Sequence, residues 1–237
     1  MEKLTSQRYF KKRNISVFFV KKEKNKKDKE EWRGIMCREV FQVVQTMDVW
    51  KLENRLALQC APVITGIKLS NLLILSSEDE GKLRAILKKT GIISYRLLQE
   101  KNKTTYLLFR KIPLCVYVNN KNIQKFLEEM GYRDFTLGKI LCTFQYRYES
   151  YMRQRKDFPH EMGILLGYPI EDVQGFIEEK GKNYLYSGYW KVYQDVASKK
   201  KLFEQYENAK EELILWLEYG YKVQTMIQLF SNCDIME

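Results

Sequence analysis

The chain has 237 residues, 45% of them hydrophobic, and a formal net charge of +11. That length and apolar content are enough for a buried core in one large domain or two small ones. No window of about 18 uncharged apolar residues occurs, and five scattered cysteines without a CxxC pair argue against both a disulfide framework and a zinc-finger cage. These features predict a folded cytoplasmic protein with no membrane association.

Residues 1–35 hold 12 Lys and Arg against 5 Asp and Glu, while all later residues hold 29 against 25. The leader therefore carries most of the basicity. Its run KKEKNKKDKE, Lys21 to Glu30, reads as a solvated arm. A purine-rich coding option for Trp32-Arg33-Gly34 would resemble a ribosome-binding site ahead of Met36. This predicts that the leader is disordered or a gene-start artefact, with a single α+β domain over residues 36–237.

From Met36, apolar residues at Val40, Val43, Val44, Met47, Trp50 and Leu52 recur at helical spacing, and Pro62 is expected to stop the helix. Cys60 would then lie near a loop opening. After the apolar run Leu72 to Leu75, Ser77, Glu78 and Asp79 start a helix that Gly91 ends. Ile92 to Leu98 and Tyr106 to Phe109 read as an antiparallel hairpin, with a third strand at Leu114 to Val118. Asn119 and Asn120 cap a helix through Met130, and a longer one spans about Thr136 to Arg155. The latter bears Phe144, Tyr148 and Tyr151 beside Arg147, Arg153 and Arg155, which reads as an aromatic core face with a basic edge.

FPHEMGILLG and YPIEDVQGFIEEKG, residues 158–181, read as two short helices joined at Gly167-Tyr168-Pro169. A DNA-reading helix-turn-helix is disfavoured, because Glu171, Asp172, Glu178 and Glu179 would be repelled by phosphates. His160-Glu161 begins like a zinc-protease HExxH motif, but Ile164 occupies the second histidine position and the chain has one histidine. No metal site is predicted. Gly175 in mid-helix costs about 1 kcal/mol relative to alanine, so it should mark close approach by another backbone or a ligand.

In KNYLYSGYWKVY, Lys182 and Lys191 stand among Tyr184, Tyr186, Tyr189, Trp190 and Tyr193, aromatics that could stack on a flavin or other planar ligand. No phosphate-cradling glycine loop is present, and no cofactor is otherwise predicted. The C-terminal part is helical, from Val196 to Tyr219 and again after Gly220.

Three blocks, QCAPVITGIKLSNLL, the 158–181 stretch and GYWKVYQDV, together resemble a bacterial family catalogued as domain of unknown function 3793. The resemblance spans roughly Leu52 to Leu229, leaves the leader outside, and rests on Cys60-Ala61-Pro62, Gly66, Lys68, His160-Glu161, Tyr168, Asp172, Gly175, Trp190-Lys191 and Tyr193. It implies a link to redox or iron metabolism and no particular reaction.

The leading expectation is a binding or accessory protein. Cys60, His160-Glu161 and Trp190-Lys191 would line one pocket, with Lys68, Tyr168, Asp172, Gly175, Lys182 and Tyr193 as further ligand-binding residues. The occupant would be a small molecule or an acidic protein partner such as a flavodoxin. The alternatives are an enzyme with Cys60 as nucleophile, His160 as base and Glu161 beside it, and nucleic-acid binding through the basic leader, the less favoured of the three.

Overall fold

The structure, a computed structural model, describes residues 37–154 and 157–233. The expectations for the leader fall outside the described residues. The protein is α+β, mostly helical, with a three-stranded and a two-stranded antiparallel sheet among the described residues. It divides into two compact units, one ending at Ile67 and resuming at Lys200, the other running from Lys68 to Lys199.

In the first unit, α1 (Arg38–Thr46) and α2 (Leu52–Ile64) replace the single helix expected from Met36 to Pro62. Met47 leaves the helical conformation for an extended one, and the chain restarts at Leu52. Pro62 does not stop α2. It lies third from the helix end, and the burial of Val63 and Ile64 behind it offsets one lost backbone hydrogen bond. Thr65 then closes the helix, its amide and hydroxyl both donating to the Ala61 carbonyl. The unit is completed by the body of α9 (Val196–Glu218) and by α10 (Val223–Cys233), which packs on α2. The Glu211 carboxylate of α9 accepts from the Cys37 amide at 2.8 Å.

The second unit begins with β1 (Ser70–Ser76), a 3-10 turn at Ser77–Asp79 and α3 (Glu80–Leu87). β2 (Ile92–Glu100) and β3 (Lys103–Arg110) form the expected hairpin, and β3 is central in the order β1-β3-β2. A register shift between Arg96 and Leu98 lets consecutive residues Leu97 and Leu98 both face inward.

The strand expected at Leu114 to Val118 is instead α4 (Lys111–Val118). Its β-branched residues suit a strand, but Pro113 sits in the first helical turn, where no amide is needed. Burial settles the period: Leu114 and Val118 are 0% exposed while Val116 between them is 70% exposed, a spacing of four rather than two. α5 (Lys121–Glu129) follows, with the Asn120 side chain accepting from the Asn122 amide at 2.9 Å. α6 (Leu137–Gln154) lays Ile140, Leu141, Phe144 and Tyr148 into the core and packs on β2.

Two short helices, α7 (Glu161–Leu165) and α8 (Ile170–Glu178), occupy the 158–181 stretch. Gly167, at φ +72°, turns the chain between them, and a Cβ added there would meet the Leu69 side chain at 3.3 Å. β4 (Tyr186–Ser187) and β5 (Lys191–Val192) make the small hairpin.

Cutting the sequence at these boundaries redistributes its charge. Residues 68–199 hold 22 Lys and Arg against 15 Asp and Glu, a net of +7; residues 36–67 and 200–237 together hold 7 against 10. Beyond the leader, the basicity belongs to the second unit.

Candidate functional site

The second unit brings together most of the residues singled out in the sequence. Asp172, in the first turn of α8, is buried, and its carboxylate is a three-way acceptor. Trp190 Nε1–H donates to Oδ2 at 2.7 Å, the Tyr193 amide to Oδ1 at 2.7 Å, and the Gln194 amide to Oδ1 at 3.3 Å. A charged acceptor makes these stronger than neutral hydrogen bonds. They clasp α8 to the strand that follows the β4–β5 turn.

Trp190 is also held from its face. Its ring stacks on Tyr168 at 4.7 Å between centroids and 24° between planes. Tyr168 in turn lies 5.5 Å from Lys68 Nζ, which donates to Asn71 Oδ1 at 2.9 Å. The Tyr168 carbonyl accepts from the Tyr117 hydroxyl at 2.8 Å, fixing the α7–α8 corner to α4. Burial pushes both phenols well above their ordinary pKa, with the nearby Glu171 charge adding to the effect at Tyr117.

Lys191 is buried, donates to the Gly181 carbonyl, and lies 4.6 Å from the Tyr184 ring and 5.7 Å from that of Phe176. His160 is half-buried between Phe158, at 5.2 Å, and the same Phe176, at 6.0 Å. His160 and Lys191 therefore share Phe176 as a neighbour. Lys182 is exposed and stands outside this cluster.

Glu161 is 2% exposed, and its hydrogen-bond partners are Tyr132 and Arg147. It accepts from the Tyr132 hydroxyl at 3.0 Å and from Arg147 Nη1 at 3.1 Å, while Arg147 Nη2 donates to the Met130 carbonyl at 2.8 Å. Arg147 also faces the Tyr132 ring at 4.8 Å. Burial, and then the Glu161 charge, raise the Tyr132 phenol. Arg147, expected on a solvated basic edge, is a structural partner of Glu161. Its position three residues after buried Phe144 was the one sign of this in the sequence, since that spacing puts it at the border of the core face.

Gly175 is explained by a side chain rather than by the backbone or ligand expected. A Cβ at Gly175 would stand 2.6 Å from Tyr193 Cγ and 2.7 Å from Tyr193 Cβ. The residue the clasp positions thus fills the space that alanine would need.

Cys60 belongs to the first unit. It lies inside α2 rather than at a loop opening and is 0% exposed. Thiol chemistry needs access and a stabilised thiolate, which a sealed helical position does not supply. Cys142 is exposed on α6, near the Tyr95 hydroxyl at 3.6 Å. Iodoacetamide at neutral pH should therefore modify Cys142 at least about tenfold faster than Cys60, read by peptide mass spectrometry. Equal rates would show that α2 opens readily. Among the described residues no group of three or more His, Cys, Asp or Glu is placed to hold a metal ion, and no helix is long and apolar enough to cross a membrane.

Burial lowers the His160 pKa below the ordinary imidazole value, with Glu161 and Asp157 pulling in the opposite direction less strongly. The sign for stability follows by linkage. As pH falls below about 6.5, the unfolded chain takes up the proton first, so this contribution is complete above that pH and lost on acidification. Thermal midpoints should fall between pH 7 and pH 5 before carboxylates titrate, and His160→Gln should flatten that slope. An unchanged slope would place the histidine in a more solvated setting.

A family model described as a protein of unknown function (DUF3793) matches residues 56–227. No curated protein and no solved structure matches the chain.

Proposed function

The chain belongs to the DUF3793 family, and from that footing we propose that it is a binding or accessory protein whose 68–199 unit docks an acidic protein partner. The charge excess of that unit, 22 basic residues against 15 acidic ones, carries the reading. Burial of Lys68, Arg110 and Lys191 on one side, and of Glu161 and Asp172 on the other, leaves that excess nearly unchanged at the surface. Complementary charge of this kind steers encounter and selects partners more than it adds affinity.

The candidate site supports the same reading. Asp172 and Glu161 accept from donors of the same unit, and Lys68 and Lys191 lie against the Tyr168 and Tyr184 rings. This chemistry stiffens the α7–α8–β5 region and leaves recognition to the surface around it. Arg147 is engaged with Glu161 and the Met130 carbonyl, so the arginine face of α6 has less to offer phosphate than the sequence suggests. A redox or iron-linked acidic protein such as a flavodoxin is the partner this reading names.

Titrating the full chain with a purified flavodoxin tests it. Binding is expected at about 20 mM salt and should weaken at least about tenfold by 300 mM, where screening shortens the reach of surface charge. No binding at low salt would remove this partner, and salt-insensitive binding would remove the electrostatic account.

A further inference from the structure

The basic excess of the second unit is concentrated in one stretch. Residues 82–103, from α3 through β2 to the head of β3, hold seven Lys and Arg, all exposed, against one acid, Glu100; the rest of the unit holds 15 against 14. Three further acids, Glu78, Asp79 and Glu80, lie just ahead of it. Asp79 pairs with Lys82 at 3.5 Å, Glu80 pairs with Arg84, and Glu100 stands across from Lys103. Arg96 has a neutral partner, Gln99 Oε1, at 3.4 Å.

Arg84 and Arg96 act on one buried phenol. Arg96 of β2 is the cross-strand partner of Tyr106 on β3, so both side chains leave the same face of the sheet, and α3 packs on β2. Tyr106 is 4% exposed, and its hydroxyl is sealed from solvent without a partner at hydrogen-bond distance. Burial, and then the Glu80 carboxylate, raise that phenol, while Arg96 and Arg84 pull the other way. An unmet buried donor costs stability, so this hydroxyl has an acceptor to gain.

Glu80 indicates what the arginines receive. It is itself a carboxylate held by Arg84, whose side chain is still 73% exposed. A guanidinium fork suits carboxylates and phosphates alike. Nucleic acid would also need a ring to stack its bases. Tyr95 is the one aromatic residue between 77 and 103, and it leaves the opposite face of β2, its hydroxyl donating to Gln145 of α6 at 2.8 Å. We propose that Arg84 and Arg96 anchor the carboxylates of an acidic protein partner, with a partner carboxylate replacing Glu80 on Arg84 and Glu80 then accepting from the Tyr106 hydroxyl. This rests on the reading above and adds the residues that do the docking.

Fluorescence anisotropy at about 20 mM salt, with labelled poly-L-glutamate and labelled flavodoxin as probes of the full chain, tests the proposal. Arg84→Glu and Arg96→Glu should each weaken both probes at least about fivefold. Lys121→Glu and Lys125→Glu make the same charge change at exposed lysines of α5 and should weaken them less than about twofold. Glu80→Gln should tighten both, because Arg84 is released. Tyr106→Phe should weaken both about twofold while leaving the urea midpoint unchanged or higher, a combination that a purely structural hydroxyl would not give. Circular dichroism confirms that each variant keeps the fold. Equal losses at α5, no tightening by Glu80→Gln, or no binding of poly-L-glutamate to the natural chain overturns the proposal. A single-stranded oligonucleotide that binds through Arg84 and Arg96 where poly-L-glutamate does not also overturns it. Flavodoxin binding indifferent to both arginines overturns this inference and keeps the proposed function. Poly-L-glutamate bound through them without flavodoxin binding supports the inference and removes flavodoxin as the partner.

Discussion

Replacing Asp172 by alanine should remove about 3 to 5 kcal/mol of folding free energy, measured by urea unfolding of the full chain. The carboxylate accepts from Trp190 Nε1, the Tyr193 amide and the Gln194 amide. Alanine leaves all three donors without it. The consequence is gravest at Trp190, which is buried and cannot turn its N–H to water without breaking the stack on Tyr168. Gln194 is exposed, so its amide can be hydrated, and that part of the loss is small. With domain stabilities of about 5 to 15 kcal/mol, the variant should be only marginally folded. Asp172→Asn is the informative companion: it keeps one acceptor oxygen but turns an NH2 group toward donors, and should cost about half as much. Indole emission should shift to longer wavelength in both variants. A loss below about 1 kcal/mol for Asp172→Ala would mean that the clasp is replaced easily by water and that the α8–β5 region is held by packing.

How much of this was legible in the sequence depends on the distance over which each feature is decided. The corner at Gly167-Tyr168-Pro169, the Asn120 cap and the β2–β3 hairpin were readable because neighbouring residues decide them. The helix at Leu114 to Val118 was not. Its β-branched residues fit a strand until the core selects Leu114 and Val118 and leaves Val116 outside. Pro62 misled for a similar reason, since the burial of Val63 and Ile64 overrides a local breaker. At the candidate site, residue types were visible but pairings were not. Asp172 and Trp190 are 18 residues apart, Lys68 and Tyr168 farther still, and no local rule joins them. The exposed aromatics at Tyr219 and Tyr221 stood in the sequence as the end of a helix, and only their exposure distinguishes them from core.

Gly175→Ala is the test in which local and long-range effects oppose one another most sharply. Helix preference alone favours alanine at this position by about 1 kcal/mol. The packing argues the reverse, because the new Cβ would lie 2.6 Å from Tyr193 Cγ and 2.7 Å from its Cβ. Rotating the tyrosine ring cannot relieve a contact with its Cβ, which moves only with the backbone. That backbone is tied through the Tyr193 amide to Asp172, one turn earlier on the same helix. Alanine must therefore push the strand away and stretch the clasp. We expect a net loss of about 2 to 3 kcal/mol, the overpacking cost exceeding the gain in propensity. The mechanism predicts a coupling that propensity does not. In an Asp172→Ala background the strand is already released, so adding Gly175→Ala should cost at least about 1 kcal/mol less than it does in the natural chain. Tyr193→Gly, which removes the obstructing atoms, should likewise absorb much of the effect. A Gly175→Ala variant more stable than the natural chain, or one whose cost is unchanged when the clasp is cut, would show that α8 and Tyr193 move independently and that the glycine serves some other purpose.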